Sequence, residues 1–238
     1  MVKKSACMFA LIFAFVWYAH AADLTVGIEG GYVHNTLNAS TGYRAFTAYY
    51  NGTGFLAGIP ALVSFNDYFA VGSGLRYIQK NYQYRRDFLD GHPMYSDYIN
   101  NYLQVPVFAD LSAEIARVRV FVDLGATLGF WLNSNRNGTL RGISDNPYNS
   151  NYVQMENFEE RIEFNDIRDN RFEAALFTGI GIKYDVNLYT IFISAQYHYG
   201  LTSLQKNYMS NRVSQYNNTI TVQVGALIKM DTLLGGIR

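Results

Sequence analysis

Val118-Arg119-Val120-Phe121-Val122-Asp123-Leu124-Gly125-Ala126-Thr127-Leu128-Gly129-Phe130-Trp131-Leu132 is the stretch that decides the fold. Its even positions, Val118, Val120, Val122, Leu124, Ala126, Leu128, Phe130 and Leu132, are apolar without a break, while the odd ones include Arg119, Asp123, Gly125, Thr127 and Gly129. A period of two marks a β-strand with unlike faces. Soluble strands usually end at about five or six residues, whereas a tilted strand crossing a bilayer needs about 9 to 11. In a soluble sandwich the apolar face would be core; in a membrane barrel it faces lipid, and the mixed face fills the lumen. Period alone does not choose between the two.

Moving outward, the rhythm recurs in residues 172–184, 188–201 and 218–230, with further candidates at 24–34, 68–79 and 98–111. A weaker one, 54–66, is blurred by Pro60 and Leu62. The connections separate the two readings, because they alternate in length. Asn66-Asp67, Ser112 to Arg117 and Asp185 to Asn187 are short, whereas 35–53, 80–97, 133–171 and 202–217 are long. Barrels of the outer membrane alternate short periplasmic turns with long outer loops, and a soluble sandwich has no reason to do so. Aromatics gather at both ends: Phe65, Tyr68, Phe69, Tyr184 and Tyr189 by the short turns, and Tyr32, Phe55, Tyr77, Phe130, Trp131, Phe172, Tyr197 and Tyr199 by the long loops. Two such rings match interfacial girdles. The expected fold is all-β, a closed antiparallel up-and-down transmembrane β-barrel of about eight strands.

The N-terminus sets the compartment. Lys3 and Lys4 precede an uncharged apolar run from Ala6 to Tyr18, and Ala19-His20-Ala21 supplies small residues for cleavage before Ala22. The run is too short for a membrane helix, which takes about 20 residues, so residues 1–21 read as a signal peptide. Residues 22–238 read as one barrel domain, since no Pro- or Ser-rich linker divides them. Without Lys3 and Lys4 the 19 basic and 19 acidic residues become 17 against 19. That balance lacks the basic face nucleic acid requires. The one cysteine, Cys7, lies in the leader, leaving no thiol or disulfide in the remainder. With 20 Tyr, 16 Phe and 20 Gly at a mean hydropathy of −0.06, the chain is too aromatic and too mildly hydropathic for a helical membrane protein.

Two stretches resemble the PorT-like outer-membrane β-barrel family, which is related in shape to small OmpA/OmpX-type barrels. One is Tyr102-Leu103-Gln104-Val105-Pro106-Val107 with the following Val118 to Gly125; the other is the C-terminal strand Ile220 to Met230. The resemblance spreads over most of residues 22–230 and implies a bacterial outer-membrane location, contact with its lipids and insertion by the barrel-assembly machinery. Such barrels commonly end on an aromatic; here Met230 takes that place, and Asp231 to Arg238 trail beyond it.

Parity sends one polar set inward: Glu29, Arg76, Gln104, Asp110, Arg119 and Asp123, then Glu173, Lys183, Gln196, His198, Gln223 and Lys229. Eight strands enclose an interior just wide enough for side chains, and buried charges there must pair. The lumen therefore reads as a plug rather than a porin-like pore. Asp110 and Arg119 are expected to pair across their hairpin. Ser194, His198 and Glu173 could be imagined as a hydrolytic set, but a triad is recognised by geometry. The lipid A deacylases carry a His-x-Ser pair, whereas Tyr199 and Gly200 follow His198. Asn165 to Asn170 clusters oxygen ligands yet lacks the Gly and distal Glu of a calcium loop. Asn38-Ala39-Ser40, Asn51-Gly52-Thr53 and Asn137-Gly138-Thr139 mark exposed turns and no more. No cofactor, metal or catalytic residue is expected. The functional expectation is a non-enzymatic barrel whose outer loops meet an extracellular or envelope protein ligand or serve envelope integrity. The alternatives are a narrow or lateral route for small hydrophobic solutes and, third, a lipid-modifying enzyme.

Overall fold

The computed structural model describes residues 23–39, 46–89, 91–143, 153–207 and 214–230. The leader, its cleavage site and the tail Asp231 to Arg238 lie outside them. Ten antiparallel strands are formed: β1 (Asp23–Ala39), β2 (Thr47–Ser64), β3 (Phe69–Gln79), β4 (Tyr82–Arg86), β5 (Met94–Ile115), β6 (Val118–Ile143), β7 (Val153–Arg161), β8 (Phe172–Val186), β9 (Tyr189–Gly200) and β10 (Gln215–Lys229). They make eight staves. β4 continues β3, both lying between β2 and β5, and β7 and β8 both lie along β6. β10 pairs with β1 and closes the ring. Closure leaves the ring of eight staves no open edge, which hydrocarbon demands because it offers backbone groups no other partner, while β7, beyond the ring, pairs with β6 alone among the described residues.

All eight expected strands are present, and most run further than their hydrophobic alternation. β5 has 22 residues and β6 has 26, well beyond the roughly 9 to 11 that a bilayer requires. The stretches read as long loops at 35–53, 80–97 and 133–171 therefore begin or end as strand. The alternation reports only the lipid-facing part, whereas the ladder hydrogen bonds continue above it without any apolar row. Short turns tighten in the same way. The Ser112 to Arg117 connection shrinks to Ala116-Arg117, with Ala116 left-handed at φ 60°. At Asn66 the side chain accepts from the amides of Tyr68 (2.9 Å) and Phe69 (2.8 Å), closing an Asx turn.

The outward row is apolar. Val122, Leu124, Leu176, Ile180, Ile193 and Val224 are exposed on the barrel exterior, and Val120 beside them is partly covered. Trp131 departs from the girdle expected of it. The β5–β6 register shifts at Asn101/Tyr102, leaving Leu132 between the partners Trp131 and Asn133. Trp131, on the odd-numbered row of Thr127 and Gly129, points inward at 7 % exposure, stacked on Tyr102 with centroids 5.7 Å apart, and the extra residue turns Ser134 inward beyond it.

Candidate functional site

The barrel interior holds two polar systems, one on each side of the Trp131 level. The first is the lumen. Glu29, Arg76, Gln104, Asp110, Asp123, Glu173, Lys183, Gln196, His198 and Gln223 are all buried there. The Arg76 guanidinium donates to Glu29 (2.7 Å) and to Gln196 (3.2 Å), whose amide in turn donates to Asp123 (3.2 Å). Lys183 pairs with Asp110. Glu173 receives Lys80 (2.7 Å), Gln104 (3.2 Å) and Asn217 (3.1 Å). Lys80, 1 % exposed, escaped sequence reading because it lies just beyond β3. Extending the even-numbered row Arg76, Ile78 by one step would have found it.

Two of the expected residues lie elsewhere. Arg119 sits at the short-turn mouth, partly exposed, and binds Asp185 through one nitrogen at 2.6 and 2.8 Å. It does not pair with Asp110. Because β5 runs on to Ile115, the rung opposite Arg119 belongs to Glu114, while Asp110 faces Asp123. Lys229 is likewise exposed at that mouth, 3.5 Å from Asp23.

Ser194, His198 and Glu173 are not hydrogen-bonded to one another. Ser194 accepts from Gln223 (3.0 Å), Glu173 is held by Lys80, and neither ring nitrogen of His198 has a hydrogen-bond partner. His198 lies flat on Phe177 at 5.0 Å. Asn165 to Asn170 folds as a turn that consumes its own oxygens. Asp169 accepts the Asn165 amide (2.8 Å) and the Arg168 guanidinium (2.7 Å), and Asn165 caps Ile167 (2.9 Å). Between Glu29, Arg76, Asp110 and Phe121 the lumen leaves a void of about 30 Å3, room for roughly one water, and a recess of about 190 Å3 opens below it at the short-turn mouth beside Lys183 and Arg119.

The second system opens at the long-loop end as a cup of about 620 Å3. One wall is aromatic. Tyr82 of β4 stacks on Tyr98 of β5 at 4.6 Å, and Tyr49 of β2 meets Tyr82 and Tyr84 edge-on at 6.1 and 5.5 Å. Burial pushes the Tyr82 hydroxyl well above its ordinary pKa, reinforced by neighbouring Tyr98 and Tyr49. The adjoining wall is made of ion pairs, and Arg136 meets the aromatic one by donating to the Tyr98 hydroxyl at 3.4 Å. Arg136 of β6 meets Glu160 of β7 at 2.8 Å, and Arg168 meets Asp169 at 2.7 Å. Burial alone would lower the Arg136 pKa, but Tyr98 and Glu160 outweigh it and keep the guanidinium charged. Because β8 and β9 stop at Phe172 and Gly200, this wall continues as irregular chain. The Asp169 to Gln205 bridge and the bonds from Asn170 N to Leu204 O and Lys206 N to Arg168 O, both 2.8 Å, hold it. Trp131 lies at the cup with Phe164 edge-on at 4.9 Å, and neither its indole N–H nor the Arg136 Nε has a hydrogen-bond partner. The cup is not visible in the sequence, because its walls meet only through lateral pairing of strands far apart in the chain.

Residues 19–206 match the family described as outer membrane protein beta-barrel domain. No curated protein matches the chain. Among solved structures, the chain is similar to the outer membrane protein OprG from Pseudomonas aeruginosa, with 12 % identity over 88 % of this chain and 96 % of that one and a TM-score of 0.48. It is similar to Ail, the attachment invasion locus protein of Yersinia pestis, at 17 % identity, 86 % and 98 % coverage and a TM-score of 0.37. It is also similar to the outer membrane protease OmpT from Escherichia coli, at 7 % identity, 87 % and 95 % coverage and a TM-score of 0.45.

Proposed function

The chain belongs to the outer membrane protein beta-barrel domain family and is a protein of the bacterial outer membrane, and from that premise we propose that it is a non-enzymatic barrel whose long loops face outward and bind at the cell surface or support envelope integrity. One contrast carries this reading: the lumen is filled by paired charges around a void of about 30 Å3, while the long-loop end opens into a cup of about 620 Å3. A void of one water does not conduct, and a cup of that size lies in the range of ligand sites. Tyr102 to Val107 and Ile220 to Met230 support placing the chain with the PorT-like barrels, inserted by the barrel-assembly machinery. The test compares producing cells with a deletion strain for binding to epithelial surfaces and for detergent sensitivity, alongside the purified barrel in planar bilayers. Loss of binding or of detergent resistance, without stable conductance steps, is expected. Stable conductance would overturn the reading.

A second reading, a lateral route for small hydrophobic solutes, is favoured by one observation. Pro60 and Pro106 face the lumen and supply no amide to the sheet. Beside them the β1–β2 ladder lapses between Val26 and Glu29, and the β3–β5 ladder between Ser73 and Arg76. Uptake of a hydrophobic solute that survives Pro60→Ala and Pro106→Ala would remove that reading.

A further inference from the structure

We propose that the cup at the long-loop end is a binding site for a neutral oligosaccharide, with sugar faces against the tyrosine wall and hydroxyls bonded to the Arg136–Glu160 and Arg168–Asp169 wall. This rests on the surface-binding reading above and names the ligand for it.

The argument is one of chemical fit. The charged side chains lining the cup are Arg136, Arg161 and Arg168 against Glu160, Glu163 and Asp169. An anion entering the cup meets three carboxylates, and a cation meets three guanidinium groups. An apolar solute would strip water from both sets and return no hydrogen bond, which costs free energy for each group left unpaired. A sugar hydroxyl is both donor and acceptor, so a neutral polyhydroxylated solute can satisfy Arg and Glu in the same site. Its carbon faces supply what Tyr49, Tyr82 and Tyr98 offer, which is broad apolar ring area with polar edges.

A second, independent observation points the same way. Trp131 is more than nine-tenths buried, lines the cup, and carries an indole N–H without a partner, as does the Arg136 Nε. Buried N–H groups ordinarily find acceptors. Both orphans are donors, the complement of hydroxyl oxygen. Directly below, Tyr102, Lys80 and Glu173 close the floor, so a ligand is held at the surface and does not pass through.

The test places the purified barrel in detergent on an array of glycans. One arm carries neutral oligosaccharides of mammalian cell-surface type, a second carries synthetic neutral oligosaccharides of bacterial surface-polysaccharide type, and a third carries sialylated and sulfated glycans. Retention on one neutral arm, without preference for the acidic arm, is expected, and which neutral arm responds identifies the source. Titration of the retained sugar should change the fluorescence of Trp131, one of two tryptophans in the sequence. Trp131→Phe keeps a ring and deletes the N–H, and should weaken binding about tenfold, the equivalent of one good hydrogen bond. Glu160→Gln, at the exposed end of its pair, should weaken binding severalfold and serves if the first variant fails to fold, as judged by heat-modifiable gel migration. The proposal is overturned if both neutral arms are empty, if acidic glycans are preferred, or if the folded variants bind as the wild type does. Cells that still bind their target surface while the purified barrel retains no glycan would overturn the saccharide assignment and leave the surface-binding reading standing.

Discussion

Around Lys80 and Glu173 the interior is full, whereas a few residues further along the same strands it encloses about 620 Å3. Both regions are lined by charged side chains, so composition does not separate them. The difference is the wall. At the lumen level all eight staves are hydrogen-bonded in a ring, and that circumference leaves space for side chains only. At the cup, β8 and β9 have ended, and irregular chain from residues 162–171 and 201–207 takes their place. A complete ring holds the inward charges against partners within the protein, Arg76 on Glu29, Lys80 on Glu173 and Lys183 on Asp110, although His198 keeps both ring nitrogens unpartnered there. An incomplete one releases some of them to face outward, and Trp131 and Arg136 keep unpaired donors there.

If that comparison holds, the same change should cost far more in the lumen than in the cup. Lys80→Met strands Glu173 without its cation where both are buried, and should lower stability to urea by roughly 3 to 5 kcal/mol, the scale for breaking one side of a buried pair. Glu160→Gln removes a pair whose carboxylate is half exposed and should cost less than about 1 kcal/mol. Equal losses would mean that the two regions do not differ in hydration, and the plug would have to be abandoned.

The lipid face gives the next effect in size. Leu124 is exposed on the exterior of β6, and arginine there should cost about 2 to 4 kcal/mol of folding free energy in bilayers if the site lies near the midplane. Asn137, on the same strand beyond the register shift, is exposed in the extension above the apolar row. Asn137→Arg should change stability by less than about 0.5 kcal/mol, as surface substitutions usually do. A similar loss at both positions would place the membrane boundary higher on β6 than the girdle indicates.

How much of this was legible follows from the same division. Inside the bilayer, each strand must present apolar residues on one face and filling groups on the other, so Val118 to Leu132 announces strand, face and length together. Beyond it the requirement lapses, and 133–143 carries no alternation although it is strand. Inward parity found Glu29, Arg76 and Asp123, because period two is rigid within a continuous ladder. It breaks beyond Trp131, where the extra residue Leu132 turns the even-numbered Ser134 and Arg136 inward, and at Asp110 with Arg119, because β5 runs four residues further than its alternation. The cup was illegible for a different reason. Tyr49, Tyr98, Arg136 and Asp169 are far apart in the chain, and lateral pairing of β2, β4, β5 and β6 with the irregular chain beyond β8 brings them to one cavity.

The smallest effect belongs to the short-turn mouth, a third setting that should rank below both others. There Arg119 binds Asp185, which also accepts from Thr190 at 2.6 Å. Partial burial raises the Asp185 pKa, but Thr190 and Arg119 outweigh it and hold the carboxyl below its ordinary value. A carboxyl lowered in this way stabilises the folded state above the unfolded pKa, about 3.9, and that stabilisation fades as pH falls through the folded value. Since the Asp185 side chain is 56 % exposed, solvent screens the pair and its worth stays below about 1 kcal/mol. A double-mutant cycle with Arg119→Gln and Asp185→Asn should therefore give a small coupling at pH 7 that fades as pH falls through the lowered Asp185 value, below about 3.9. The parallel cycle with Asp110→Asn and Arg119→Gln should give none, because Asp110 is engaged by Lys183. Coupling between Asp110 and Arg119 would return the turn to Ser112 to Arg117 and move every rung of the β5–β6 hairpin.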